Sequence, residues 1–485
     1  MERYESYESY LRKLKSGHFK RCVRVDWLNP DETIAWSIDD KLYDISGSIN
    51  VTYQSGSRRT GSLTVKDLPI DYDNIWIGQK VQIWTGIYLD DEKLNPIYFS
   101  QGIFYITNPK DSFQPNKKTV TFSLVDKWAM LDGTVGGYLT GTYLINPLQN
   151  LIVATEHIRK SDRFDDSGRM NETNNISRML DPKPTLFDSY FYSATTQVPV
   201  YTTDTLSAVY SCAHGIYALA LNDSYAYEAR GVIWDKGSNT YTTAKQVNGE
   251  ITPEDLKNST SLTKEMNIYY APYTIKKEAG GTLADVYNEV GTALMGKQYY
   301  DRNGYLVYMP LSTSLNDFSD ENRQITWEFN VSEKFFLGAD LESKFKEVYN
   351  DITVLGKITN GRQAKAKIQN QDDESDTCIQ RIGLKSKAPY KEDNYLTDKQ
   401  CLDLAQYYAQ IDAAMEKAGT FNSVALPHLD VDQIVTLTIP EKKIYQEQYL
   451  ITGLSIPLAA TGTMSITVTN IRNFKNWTQV PFEEE

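Results

Sequence analysis

Four histidines, His18, His157, His214 and His428, are the chain's only imidazoles, and none lies within four residues of another. Proton transfer or metal binding through imidazole needs convergent partners, and no local pair supplies them. His428, in the string LPHLD, precedes a strand pattern and reads as a turn residue whose ring packs beside Leu426 and Leu429. The sequence has no HExxH pair for zinc, no GxSxG nucleophile elbow, no GxxxxGK(S/T) phosphate loop and no GxGxxG dinucleotide turn. The acidic run Asp372, Asp373, Glu374 and Asp376 has the oxygen ligands of a hard-cation site. As an EF-hand it fails, with Thr377 at the sixth position and Gly383 at the twelfth, so it reads as a solvated loop. The carboxylate pairs Asp71 with Asp73 and Asp165 with Asp166 say little about a glycosidase, because that chemistry depends on distance in the fold.

Four cysteines, Cys22, Cys212, Cys378 and Cys401, show no CxxC spacing and outline neither a zinc knuckle nor a disulfide framework. Tyr190, Tyr192, Tyr201, Tyr210, Tyr225 and Tyr227 cluster in one region. They either form a sugar- or protein-binding surface or fill strand positions in a β-rich insertion. No catalytic, cofactor-binding or metal-binding residue is assigned, and the chain reads as a non-enzyme.

Fifty Lys and Arg against 63 Asp and Glu give a net charge of −13, which argues against a basic face gripping phosphate backbones. At about 150 residues per domain, 485 residues imply roughly three domains. No apolar run approaches the roughly 20 residues of a bilayer span, and MERYESYESYLRKLKSG lacks a signal-peptide core, so cytoplasmic synthesis is expected. On that expectation the Asn-x-Ser/Thr triplets at Asn50, Asn258 and Asn330 are chance.

The elements that would hold these residues are mostly strands. Residues 1–19 read as a helical docking arm, with Tyr7, Leu11 and Leu14 on one face and Ser16-Gly17 as the break. Residues 20–140 alternate with period two, as in Val23, Val25 and Trp27, and read as a first β-domain. Residues 141–270 form an irregular insertion in which SAVYSCAHGIYALAL suits helix or strand. Residues 271–325 read as a helix-plus-hairpin module. There Thr282 is the N-cap, Leu283, Val286, Tyr287, Val290 and Leu294 the stripe, Gly296 the stop, and Asn303-Gly304 a tight turn with both residues at positive φ. Residues 326–485 form a second β-domain with an inserted helix over 397–418. That helix opens with a Thr397/Gln400 capping box and a Leu396/Cys401 staple, carries the stripe Leu404, Tyr408, Ile411 and Met415, and ends at Gly419.

The two β-regions echo each other. Gln79-Lys80-Val81-Gln82-Ile83, Tyr105-Ile106-Thr107 and Thr119-Val120-Thr121-Phe122 match Gln433-Ile434-Val435-Thr436-Leu437, Leu450-Ile451-Thr452 and Ser465-Ile466-Thr467-Val468. Thr107 to Thr119 spans 12 positions and Thr452 to Ser465 spans 13. Either the β-domain is duplicated or two amphipathic hairpins share generic strand residues.

The strings YDISGSINVTYQSGSRRTGSLTV, IWIGQKVQIWTGI, YFSQGIFYITNP and SLVDKWAMLDGTVGG resemble the baseplate hub, or tail hub, proteins of long-tailed bacteriophages and phage-like particles. So do GGTLADVYNEVGTALMGKQYYDRNGYLVYMPL, VYNDITVLGK, ALPHLDVDQIVTL and YLITGLSIPLAATGTMSITV. The resemblance implies a mainly β (α+β) fold with two tube-like antiparallel β-barrel domains. It also implies a virion structural protein of the tail tip or baseplate: a homotrimer closing the distal end of the tail tube and matching six-fold tube to three-fold tip. The implied partners are a distal tail or tail tube protein, the tape measure protein, and a tip fibre, spike or lysin. Genomic DNA would pass through its channel without specific binding, for which an acidic wall is suited. The alternative is a tail-associated cell-wall hydrolase or receptor-binding protein acting through 141–270. For the subunit contacts, the segments around Trp84 and Trp128 are singled out, each with an equal claim to the core.

Overall fold

In the computed structural model the chain is described apart from residues 69–77, 147–148, most of 161–178 and of 200–262, 311–324, 345–347, 360–361, 413–415, 471–476, 483–485 and the single positions 1, 55, 93, 116, 396 and 460. Asp71, Asp73, Asp165, Asp166, Tyr201, His214, Tyr225, Leu396 and Met415 therefore lie outside the described residues.

The chain is mainly β, as expected. Seven strands follow the N-terminal helix α1 (Glu2–Lys15): β1 (Lys20–Leu28), β2 (Ile34–Asp39), β3 (Ile45–Thr52), β4 (Arg59–Lys66), β5 (Lys80–Tyr88), β6 (Pro96–Gln114) and β7 (Lys117–Asp126). Period-two alternation puts Val25, Trp27, Ile83, Phe104 and Phe122 on one buried face, each worth about 1.5–3 kcal/mol in burial. Helix α1 closes this core with Tyr10 and Leu14, while Tyr7 stays exposed.

After helix α2 (Leu151–Lys160) and helix α3 (Leu283–Ala293) comes the hairpin β8 (Gly296–Tyr300) and β9 (Leu306–Pro310). Thr282 caps α3 through a capping box with Asp285. The helix does not stop on Gly296: Met295 takes the positive φ of 52°, and Gly296 opens β8. Asn303-Gly304 does not make a two-residue turn either. Asp301 closes a wider loop by accepting at Oδ1 from the Asn303 and Tyr305 backbones (2.9 and 2.8 Å), and only Gly304 takes positive φ.

The last β-region comprises β10 (Ile325–Asn330), β11 (Phe336–Lys344), β12 (Asp351–Thr359), β13 (Arg362–Asn370), β14 (Glu416–Val424), β15 (Ile434–Ile439), β16 (Ile444–Pro457) and β17 (Thr463–Asn470). Helix α4 (Asp398–Asp412) starts at the expected Thr397/Gln400 capping box. It ends short of residue 418, because Glu416–Val424 is strand and Gly419 pairs with Leu341 and Val468.

The two β-regions share one sheet, in the order β2-β1-β5-β6-β7-β4-β3-β16-β17-β14-β11, with β10-β15 attached to β16 on the same edge as β3, along its first half. The two antiparallel β-units expected from the sequence are thus parts of one sheet, with no barrel closure found among the described residues. Among the described residues the sheet ends at β2, β10 and β11, and β10 pairs with β15 in parallel. The duplication is plain in the strand order: β1-β5-β6-β7-β4-β3 and β10-β15-β16-β17-β14-β11 take up their strands in the same chain sequence. The Ile106 N–H donates to the Gln79 carbonyl at 3.0 Å, and the Ile451 N–H to the Gln433 carbonyl at 2.9 Å, as the sequence echo aligned them.

One core runs under both halves, from Trp27 and Phe104 to Phe421, Ile451 and Ile466. A second joins α2, α3, the β8–β9 hairpin, β12, β13 and α4 through Tyr287, Val290, Ile352, Ala366 and Leu404. The 351–412 segment, though placed by the chain between β11 and β14, thus packs with the α3 module.

Candidate functional site

The two sheet halves and the hairpin module meet at a buried charged joint. Its scaffold is a backbone seam in which Ser48–Thr52 of β3 runs antiparallel to Gly453–Pro457 of β16. Beside the seam, the entry to β4 carries Arg58 and, as the strand's first residue, Arg59, both about 3% exposed. Buried guanidinium ions must be paired to remain charged there. Arg58 Nη1 donates to Asp432 at 2.8 Å, and Arg59 Nη2 donates to both Asp430 oxygens at 2.7 and 2.6 Å. The hairpin adds Lys297, which donates to the other Asp432 oxygen at 2.9 Å, and Tyr299, whose ring lies 3.2 Å from the Arg58 guanidinium carbon.

Asp126, at the end of β7, accepts from the backbones of Arg58 (2.7 Å), Arg59 (2.9 Å) and Trp128 (3.1 Å). Burial pushes its carboxyl up to about 6 against these donors and the Arg59 charge. At Asp430 burial pushes the same way, but Arg59 and Arg302 outweigh it and hold the carboxyl below its ordinary value.

Arg302, in the hairpin loop, locks both halves at once. It donates through Nε to the Ser100 carbonyl (2.6 Å), through Nη1 to that of His428 (3.0 Å) and through Nη2 to that of Pro427 (2.7 Å). Gln101 reaches the Pro427 carbonyl from β6 at 3.0 Å. The His428 ring is 6% exposed, set among Tyr10, Phe99 and Trp327, with Nδ1 2.7 Å from the Tyr10 hydroxyl. Burial first, and the Arg302 charge second, push its imidazole down to about 3, so it is neutral at pH 7. The unfolded chain takes up this proton near 6.5, so stability falls as pH drops from 6.5 toward 3. His428→Gln is expected to flatten that acid limb in urea unfolding; an unchanged slope would show the ring to be solvated. Asp126 acts in the opposite sense between pH 4 and 6 in both proteins and cancels in the comparison.

A second ionic cluster ties the 3-10 turn after β7 to residues 181–183. Lys127, fully buried, donates to Asp181 (2.6 Å) and the Gly304 carbonyl (2.9 Å), with Glu32 2.7 Å away. Glu32 also accepts from Lys80 at 2.8 Å, and Asp181 from the Tyr300 hydroxyl at 3.0 Å. Burial raises the Glu32 carboxyl, but Lys127 and Lys80 prevail and leave it below its ordinary value.

Of the residues singled out from the sequence, only His428 belongs to the joint. His18 is exposed and His157 is buried on α2. The acidic loop is a solvated turn, in which Asp376 pairs with exposed Arg381 at 2.8 Å. Cys22, Cys378 and Cys401 are buried thiols. Among the described residues no three His, Cys, Asp or Glu side chains are placed to hold a metal ion, and no helix is long and apolar enough to cross a membrane. Tyr190 and Tyr192 are partly exposed on a short helical turn; Tyr210 and Tyr227 lie on strands. Trp128 is buried over Gly56, and Trp84 donates to Asp26 at 2.8 Å, so each has an intrachain partner. The sequence reading passed over Arg58, Arg59, Asp126, Lys297, Arg302, Asp430 and Asp432. The signal present was their concentration in the strings SRRTG, LVDKW, GKQYYDRNGYL and HLDVDQ, which converge here.

No family model and no curated protein matches the sequence. Solved structures do. The chain is similar to the tail protein from Neisseria meningitidis MC58, at 8% identity and TM-score 0.50 over 94% of this chain and 98% of that one. It is also similar to the 43 kDa tail protein of prophage MuSo2 from Shewanella oneidensis, at 10% identity and TM-score 0.47 over 94% and 100%. The prophage tail protein gp18 from Listeria monocytogenes EGD-e matches at 10% identity and TM-score 0.45 over 94% and 95%. The chain shares with the Neisseria tail protein a fold that spans nearly the whole of both molecules.

Proposed function

We propose that this chain is a non-enzymatic structural subunit of a phage-type tail, a trimeric hub that closes the distal end of the tail tube in the virion. One observation carries the reading: two sheet halves of the same strand order are locked edge to edge by a buried charged joint. A three-fold ring of such a chain presents six similar faces, enough to meet a six-fold tube on one side and a three-fold tip on the other. Residues 20–140 and 326–485 are the two tube-like units in this plan, and 271–325 is the wedge that fixes their angle. The likeness in fold to a tail protein supports the reading.

The partners follow from the position: a distal tail or tail tube protein and the tape measure protein above, a fibre, spike or lysin below. Genomic DNA passes without being held, for which the net charge of −13 is suited. Light scattering of the full-length chain at two concentrations tests the ring. A mass near three times 55.3 kDa is expected. Electron microscopy that finds the chain in the tube wall at six copies per ring would overturn the reading.

A further inference from the structure

The two halves are joined within the chain by β3 against the far end of β16, and their common strand order leaves the equivalent edges open. We infer that the same seam repeats between copies: the free edge of β11 in one copy pairs antiparallel with residues 110–114 of β6 in the next. The inference rests on the trimeric-ring reading and names the strands that close it.

The residue equivalence is fixed at two places. Ile106 and Ile451 hold matching places, since each donates to the carbonyl of the matched glutamine, and each strand then shifts register against its hairpin partner. Gly61 pairs with Leu124 on one side and Ile49 on the other, as Gly419 pairs with Val468 and Leu341. Both glycines are required by the same close approach. A Cβ on Gly61 would meet the Ser48 carbonyl oxygen at 2.6 Å and Ile49 Cδ1 at 2.7 Å; on Gly419 it would meet the Asp340 carbonyl oxygen and Leu341 Cδ2, each at 2.7 Å.

Ile49 therefore corresponds to Leu341, Asn50 to Glu342 and Ser48 to Asp340. On the other strand Ser455, opposite Ser465, corresponds to Lys110, opposite Thr121. The intrachain pairs Ser455↔Asn50 and Pro457↔Ser48 then become Lys110↔Glu342 and Ser112↔Asp340 between copies. The first of these sets a cation opposite an anion, which stabilises a cross-strand pair.

Both edges are free to do this. Among the described residues β11 is the last strand of its sheet, and the β5 side of β6 is occupied only as far as Ile106, whose N–H bonds to Gln79. Each edge exposes a large apolar side chain, Leu337 at 52% and Phe113 at 65%. Open strand edges are templates for added strands. These two sit on different elements of one chain, so the pairing is head-to-tail, the kind of contact that the three-fold ring of the hub reading requires.

The test is the full-length variant Lys110→Cys/Glu342→Cys, oxidised mildly and run without reductant. Directly opposed strand residues bring Cα atoms about 4.5–5.5 Å apart, within disulfide reach. A ladder of cross-linked species ending at three chains is expected, with either single-cysteine variant giving nothing beyond two. In the charge-swapped pair, Lys110→Glu alone is expected to weaken assembly and Lys110→Glu/Glu342→Lys to restore it. A trimer mass for the reduced variant with no ladder on oxidation overturns this pairing and leaves the hub standing. A chain that stays monomeric at every concentration overturns both.

Discussion

Asp430→Ala is expected to lower the unfolding free energy by about 3–5 kcal/mol, the usual cost of stranding one partner of a buried ion pair. Arg59, 3% exposed, would lose both of its bonds to Asp430 and keep only a 3.2 Å contact to the Gln101 carbonyl. Arg302 would lose the carboxylate 4.0 Å from its Nε. Two positive groups would then share one buried space without the carboxylate that pairs them, leaving only the weaker charge interactions with Asp126 and Asp301. Urea unfolding at pH 7, followed by far-UV circular dichroism, measures the loss. A difference under 1 kcal/mol would mean that water reaches Arg59 and that the joint does not hold the halves together. The pH dependence gives a second readout. The Asp430 carboxyl lies below its ordinary value, so its contribution is present above the unfolded pKa near 3.9 and is lost as pH falls through the folded value. Asp430→Ala, without this group, should lose less stability than the wild type on acidification.

Lys127→Met is expected to cost a similar 3–5 kcal/mol, with a pH signature of the same sign. Methionine fills much of the lysine stem's volume but removes the ammonium between Glu32 and Asp181. Lys80 still meets Glu32, and the Tyr300 hydroxyl still meets Asp181, but two carboxylates exposed by only 2% and 3% lose their shared cation. In the wild type the Glu32 carboxyl is held below its ordinary value, so it favours folding at neutral pH and that contribution fades in acid. In the variant, burial is left less opposed at Glu32 and pushes its carboxyl up, so its protonation favours the folded state. The gap between wild type and Lys127→Met should therefore narrow as pH falls from 7 toward 4. A constant gap would assign the loss to packing.

The sequence by itself determined the local features. Alternation at Val23, Val25 and Trp27 specified strand β1, because a pleated strand turns every second side chain to the same face. Thr282 with Asp285, and Thr397 with Gln400, specified two helix starts, because a capping box is satisfied within four residues. The echo of Gln79 and Ile106 in Gln433 and Ile451 aligned residues that the structure joins by the same backbone hydrogen bond in each half. The stop signals were weaker. Gly296 and Gly419 read as helix ends, yet both sit in strands, because a glycine marks a close backbone approach as readily as a cap.

Only the tertiary structure decided the joint. Arg59 and Asp430 are 371 positions apart, and a charged dipeptide such as Arg58-Arg59 carries no mark of burial until its counter-charges are in place. The same holds for the parallel pairing of β10 with β15, and for the seam that makes one sheet of two halves. Strand patterns set which face is apolar, but not which edge finds which neighbour. Edge choice depends on shape and desolvation summed over the whole fold.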